Sequence, residues 1–342
     1  MGFEISTVDY TIIGVYFTVV LFIGFWVSRN TKTGDDLFLA GRTLGWWAIG
    51  FSLFASNISS TTLIGLTGAA YKDGIAVSNY EWMAAIVLVV FVFLFVPVYI
   101  KNRISTIPEF LELRYTRAAR RYFSGLTITT NIFIDTAGGL YAGALVVQKF
   151  FPSIDMYTAC IGLALIAGLY TAAGGLAAVV YTDVIQAVVL LLGACITTFL
   201  LFSHEAIDMS WANVVAHTSP EKLSVIRPLS DPNLPWLGTL IGVPILGFYF
   251  WCTNQFIVQR VLGARNINHA RWGSLLGALL KLPVLFIMVL PGTMAAIIYP
   301  NIANGDDVFP TLIVNLLPVG VVGLVLAALI AAIMSSVDST LN

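Results

Sequence analysis

Nine apolar stretches recur along the chain, over residues 9–28, 46–68, 79–100, 119–149, 156–173, 179–203, 234–258, 272–299 and 308–342. Each is about the length a helix needs, roughly 20 residues, to cross a hydrocarbon core of roughly 30 Å. The pattern predicts an all-α integral membrane protein, with polar interruptions in the seventh and ninth segments. The first stretch reads as a span rather than a cleaved leader, because its flank is acidic (Glu4, Asp9), its apolar run is full length and no small-residue cleavage site follows. Between the third and fourth stretches, ISTIPEFLELRYTRAARR (104–121) mixes apolar and basic residues too densely to span, and predicts a helix lying on the cytoplasmic interface. The polar connection 204–233 carries no run of like charge, and no low-complexity linker marks off a second domain.

Composition agrees with the pattern: 58% of the 342 residues are hydrophobic and 10% charged, and the mean hydropathy is +0.89. No soluble core needs that much apolar surface. Basic residues set the orientation. Arg29, Lys32 and Arg42 follow the first span, Lys101, Arg103, Arg114, Arg117, Arg120 and Arg121 the third, and Arg260, Arg265 and Arg271 the seventh, so these twelve share one side. Only Lys72, Lys149, Lys222 and Arg227 fall on the other. The positive-inside rule puts the twelve in the cytoplasm and the N-terminus outside, as in a multi-pass protein of the cell membrane. Lys281 remains, about ten residues into the eighth span and hence roughly 15 Å deep, where a charge needs a reason.

Other chemistry is sparse. Cys160, Cys195 and Cys252 lie inside apolar spans and read as small core residues, while His204, His217 and His269 sit in connections, away from acidic or Cys clusters at ligand spacing. A net charge of −1 gives no sign of nucleic-acid binding. No nucleophile with a base, phosphate-binding glycine loop or zinc motif points to an enzyme.

Two spans are unsuited to a continuous lipid-facing helix. The second, GFSLFASNISSTTLIGLTGAA, is polar or small from Ser56 to Thr62 apart from Ile58; the seventh places Gly238, Gly242, Pro244 and Gly247 in its first half. Both predict broken helices. Transporters built from inverted repeats carry such interruptions at matching positions, with freed carbonyls and helix ends facing solute and coupling ion. The spacing fits a five-helix repeat: an extra helix and cytoplasmic loop (1–45), a first repeat (46–203), an extracellular loop (204–233) and the start of a second repeat (234–342).

The stretches DDLFLAGRTLGWWAIGFSLFASNIS, NYEWMAA, ISTIPEFLELRY, GGLAAVVYTDVIQ, YFWCTNQFIVQR, LLKLPVLFIMVLPG and AALIAAIMSS occur here in order. In this nearly chain-long pattern the sequence resembles the sodium/solute symporters, nearest their sodium/sugar branch. The resemblance implies a leucine-transporter-like, inverted-repeat helical bundle with one extra N-terminal helix. It also implies that Asn342 falls within the third helix of an incomplete second repeat, and that residues 1–342 alone could not complete a transport cycle.

The same resemblance implies a sodium (Na+) site formed by the carbonyls of Ala55, Ile58 and Ala332 and the hydroxyls of Ser335 and Ser336, a donor set suited to a hard cation. Adjacent serines equally suit bonds back to their own helix. Asp183, with Asp338 and Ser339, is a candidate second cation site for sodium or a proton; the alternative for Asp183 is a capping pair with Thr182. Asn57, Glu81 and Lys281 are implied as partners of sugar hydroxyls, whereas taken singly they also suit a helix break, a first-turn acid and a paired structural charge. Departures from the sugar carriers fall at Thr62, a candidate substrate contact, and at Ala84 and Gly247. An aromatic gate is implied at Tyr249, Phe250 and Trp251, and Asp135 is an added acid with either a solvated or a solute-contacting role. The resulting expectation is sodium-driven alternating-access symport of a small polar solute, a sugar first. Its competitors are a different solute (inositol, a carboxylate, proline or an anion), a transporter-like sensor and a passive channel.

Overall fold

The computed structural model describes residues 5–29 and 31–341; Glu4 and Asn342 lie outside them. Among the described residues the chain is all-helical, apart from two isolated β-bridges, Leu44–Ala264 and Arg227–Pro235. Six helices are long and apolar enough to cross a membrane, and a seventh span is added if the pair bent by 51° between Gly238–Thr253 and Gln255–Leu262 is one crossing. The chain is a multi-pass membrane protein. The count falls short of nine because the second stretch is broken, the helix Met156–Leu169 is short, and Thr62–Lys101 joins two stretches through a corner at Gly74–Ser78.

The elements that position the site are α1 (Thr7–Ser28), α2 (Trp46–Asn57), α3 (Ser60–Asp73), α4 (79–101), α5 (Ile107–Arg114), α6 (Arg117–Phe150), α7 (156–174), α8 (176–202), α9 (238–253), α10 (Gln255–Leu262), α11 (Ile267–Lys281), α12 (285–298), α13 (Val308–Leu316) and α14 (Val321–Leu341). Gly175, with φ at 57°, divides α7 from α8, a conformation that glycine adopts without a Cβ penalty. Three of the five π-helical turns among the described residues are followed two positions later by proline, at Pro97, Pro244 and Pro291. The wider turn accommodates the missing proline N–H without ending the span.

Several expectations are corrected. The segment 104–121 is not one helix: α5 ends at Arg114, and Thr116, extended at φ −147°, caps α6 by accepting from Ala119 N at 3.2 Å, so Arg117, Arg120 and Arg121 belong to the start of the next span. Glu112 bridges the corner, pairing with Arg117 and Arg120, and the hydrogen bond from Arg120 holds its carboxyl below the usual range. The ninth stretch is two helices, parted after Pro318 at Gly320, whose φ is 87°. The seventh stretch is broken, but at Asn254 rather than at its glycines and Pro244, which are helical. There the backbone turns extended (φ −69°, ψ 125°) and the Asn254 side chain caps α10 through Phe256 N. The π turns absorb the proline, so the break moves to the next polar residue able to cap a new helix.

Helices α2 and α11 run side by side, with Ile49 beside Gly273 and Leu53 beside Gly277; a Cβ at Gly273 would meet Ile49 within 2.7 Å. This small-residue spacing is how membrane helices approach closely without a hydrophobic driving force. The corner at Gly74–Ser78 is held by the long loop, since Lys222 Nζ donates to Tyr71 O at 2.9 Å and Val225 O accepts from Asn79 Nδ2 at 2.7 Å.

Asp9 closes a capping box with Ser6 and reaches across to α14, accepting from Gly320 N at 2.8 Å and Gly323 N at 2.7 Å. Asp9→Ala leaves two backbone donors without their acceptor, at about 1–3 kcal/mol each. The expected result is a lower unfolding midpoint in detergent, and an unchanged midpoint would dissociate α1 from the stability of α14.

Candidate cation and solute site

The site begins where α2 ends. At Ile58 the backbone leaves the helix (φ −87°, ψ 88°), and Ser59 starts α3 by accepting from Thr62 N at 3.0 Å. In a continuous helix Ser59 N would bond to Ala55 O and Thr62 N to Ile58 O. Here Ser59 N bonds to Asn57 O at 3.2 Å, and Thr62 N is taken by the Ser59 hydroxyl. Both carbonyls have lost their helical donors. Thr62 Oγ1 lies 3.0 Å from Ser59 Oγ and donates to Asn57 O at 3.3 Å, so Thr62 serves the break itself.

Helix α14 packs against this break, with Ala55, Ile58 and Ala332 in one apolar cluster. Ser335 Oγ donates to Asp183 Oδ1 at 2.6 Å, while Ser336 Oγ bonds back to Ala332 O at 3.0 Å. The serine pair therefore divides, one hydroxyl facing a neighbouring helix and one its own turn.

Asp183 is fully buried in the interior of α8 and is no cap: Thr182 bonds back to Ala178 O at 2.9 Å. Its Oδ2 accepts from Ser52, from Ser56 at 3.2 Å and from the Arg260 guanidinium at 3.1 Å. Arg260 is the residue that sequence reasoning misplaces. The charge pattern assigns it to the cytoplasmic side, yet it is 1% exposed and also donates through Nε to Ser52 at 2.7 Å, to Phe256 O and to Ser339 Oγ. The readable signal is its setting, a single charge between Phe256 and Leu262 among apolar neighbours. Of the three residues of the expected second cation site, Asp183 and Ser339 therefore meet at this guanidinium, and the buried Asp338 adjoins them through Ser339 Oγ, 3.4 Å from its Oδ1.

A second buried cluster lies beside the break. Lys281 ends α11 just before Pro283, is 0% exposed, and donates to Glu81 Oε2 at 2.6 Å and to Asn57 Oδ1. Its ammonium sits 5.5 Å from the Phe54 ring centroid and 5.2 Å from that of Trp251, within cation–π range. The three expected solute partners are thus joined. The three expected gate aromatics are not: Trp251 is buried, Phe250 packs edge-on to it at 5.1 Å, and Tyr249 is 46% exposed. Gly247 has a packing reason, since a Cβ there would stand 3.3 Å from Val87 Cγ2 on α4. Asp135 lies half-buried in the π turn of α6, next to Thr136, whose hydroxyl meets Thr340 of α14 at 2.8 Å.

The sequence profile described as "SSF: Sodium:solute symporter family" matches residues 37–342. The chain belongs to the sodium:solute symporter family. Members similar to it include the sodium/glucose cotransporter of Vibrio parahaemolyticus, 38% identical over 99% of this chain and 67% of that protein. Sodium/glucose cotransporter 1 of Oryctolagus cuniculus is 35% identical (98% of this chain, 57% of that one), and sodium/myo-inositol cotransporter 2 of Mus musculus 37% (98% and 54%). The chain therefore spans between about half and two thirds of these relatives. A solved structure of a Na+-coupled sialic acid symporter, substrate-bound and outward-open, superposes with a TM-score of 0.87 at 24% identity, covering 98% of this chain and 72% of that one. That likeness gives this symporter-family member its fold, a leucine-transporter-like helical bundle. The named relatives are cotransporters rather than enzymes.

In this symporter-family chain a cavity of about 540 Å³ opens beside the Asp183–Arg260 cluster, lined by Ser339, Thr340, Phe256 and Gln259 together with Thr106 and Arg120 from the basic end of the bundle. It brings solvent-accessible space to the edge of the buried ionic network.

Proposed function

We propose that the protein is a sodium-coupled symporter of a small polar solute, with a sugar as the leading substrate, working by alternating access. The observation that carries this reading is the break at Ile58, which releases the Ala55 and Ile58 carbonyls against the helix bearing Ser335 and Ser336. Those carbonyls, Ala332 O and the two hydroxyls would hold one sodium. Asn57, Glu81 and Lys281 supply an amide, an acceptor and a cation to solute hydroxyls, a set matched to a polyol. The glucose and myo-inositol cotransporters among its relatives favour that class, and inositol is the second reading. We place the N-terminus outside and the basic end in the cytoplasm of the cell membrane. We also assign residues 46–203 and 234–341 to two inverted repeats, with breaks at Ile58 and Asn254 in the first helix of each.

Energetics suit the task. One sodium entering down about 100 mV gains roughly 2.3 kcal/mol, and a tenfold gradient adds about 1.4, enough for accumulation of a neutral solute by several hundredfold. The test is uptake of a labelled panel of sugars, inositol, carboxylates and proline into proteoliposomes, with and without an inward sodium gradient. The expected outcome is saturable, sodium-driven and electrogenic uptake of a neutral polyol. Uptake indifferent to sodium, or sodium-driven uptake of a carboxylate alone, would overturn the corresponding half of the proposal.

A further inference from the structure

At the end of the bundle opposite the basic residues, α3, α12 and the turn Gly305–Asp307 that leads into α13 are locked together. Tyr71 Oη donates to Tyr299 O at 2.7 Å and accepts from Ile302 N at 3.1 Å, and Thr67 Oγ1 donates to Met288 O at 3.1 Å. Gly68 packs on Gly305 so closely that a Cβ there would stand 2.4 Å from the Gly305 carbonyl oxygen. The last turn of α6 stands outside these ties. Among the described residues one side-chain ion pair crosses from it to the segment 305–316, Lys149 to Asp307, with both groups about half-exposed. The space around the pair is poorly filled. A cavity of about 340 Å³ lies between α3 and α6, where Ile64 and Gly65 face Ala142 and Val146, and a second cavity of about 340 Å³ lies at Phe150, Pro310 and Val314; Lys149 lines both. Permanent contacts between helices fill such gaps, because protein interiors reach crystal-like density.

We propose that the Lys149–Asp307 pair is a charge latch across the external mouth of the solute pathway, holding that mouth shut in this conformation and setting how often it opens. The proposal rests on the alternating-access reading and the orientation given above. Ile64 and Gly65 lie within two turns of the Ile58 break, so the cavity under the pair points toward the solute cluster, which is closed off, with Lys281 0% and Glu81 6% exposed. Opening a route from this end moves α3 and its locked turn away from α6, and that motion separates the two charges. Both are positioning residues that act on the mouth and touch neither ion nor solute. The pair suits a latch because it is weak. An exposed ion pair biases an equilibrium by about twofold to fivefold and is screened by salt, so it lowers the population of open molecules without forbidding the opening. A larger open population lowers the ligand concentration needed for binding from that side.

The experiment uses a Gly65→Cys parent of the full-length protein, with Cys160→Ser and Cys195→Ala removing background; a Cβ at Gly65 meets no atom within 4 Å. Labelling by a membrane-impermeant thiol reagent is timed without sodium or solute, at low and high ionic strength set with choline chloride. At low ionic strength Lys149→Gln and Asp307→Asn should each label about twofold to fivefold faster than the parent. The doubly neutral variant should be no faster than either single one, because the two changes remove the same interaction. Charge exchange, Lys149→Asp/Asp307→Lys, should return the parental rate, and high ionic strength should speed the parent and the exchanged variant but not the neutral ones. Unfolding midpoints of the four variants should match, since a loosened fold would label faster without being cured by exchange. The proposal is overturned if the single substitutions leave the rate unchanged, if their effects add, if exchange does not restore the parental rate, or if salt acts equally on all variants. Uptake indifferent to sodium would instead overturn the symport reading, and this labelling result, obtained without sodium, would stand.

Discussion

Lys281→Met abolishes saturable uptake and lowers the unfolding midpoint in detergent by several degrees. The residue is fully buried, and its ammonium is held by Glu81, Asn57 and two aromatic faces. Removing one partner of such a pair leaves the other charge without compensation, at about 3–5 kcal/mol, whereas replacing both partners with neutral groups of similar volume is often close to neutral. Glu81→Gln/Lys281→Met should therefore recover most of the lost stability. It should not recover transport, because on the proposed reading the pair is also the donor and acceptor that recognise solute hydroxyls, and a site built to hydrogen-bond its ligand discriminates by those bonds. Thermal unfolding and uptake on the two variants separate the roles. A double variant that regains both stability and uptake would make the pair purely structural.

The legibility of this fold is uneven for physical reasons. Apolar periodicity finds the crossings because each backbone group in hydrocarbon must be bonded within its own helix, which imposes a length and a composition on every span. It also finds the break at Ile58, since six polar or small residues flanking that isoleucine in mid-span have no other use. It misplaces the break between α9 and α10 because glycine and proline weaken a helix without ending it: the π turn ahead of Pro244 retains the span, and Asn254 ends it by capping α10. The ionic clusters are half legible. Lys281 announces itself by depth, and its partners Glu81 and Asn57, 200 and 224 residues away in sequence, come through the family resemblance. Arg260 gives only the weaker signal of a lone charge among apolar neighbours, because a basic residue near the end of a span satisfies the positive-inside pattern whether it faces solvent or turns inward. Its pairing with Asp183 depends on α8 and α10 meeting, which is a property of packing.

Ser336→Ala raises the sodium concentration for half-maximal uptake by about tenfold or more, with the maximal rate affected less. A hydroxyl that ligates a charged species contributes about 1.5–3 kcal/mol, and each 1.4 kcal/mol is a factor of ten in affinity. Ser335→Ala should be the more damaging change. Besides removing a ligand, it strips Asp183 Oδ1 of its donor at 2.6 Å inside a buried network that also holds Arg260. The asymmetry arises from where the two hydroxyls point: Ser336 returns to Ala332 O on its own helix, so its loss leaves no buried charge unsatisfied. Thr340→Ala is the matched control, a hydroxyl removed from the same helix but bonded to Thr136 instead of the cluster. It should leave sodium dependence unchanged. Equal effects of all three substitutions would mean that hydroxyl loss merely loosens α14, whereas an unaltered sodium requirement in both serine variants would remove the pair from the cation site and leave the broken helix without its ion.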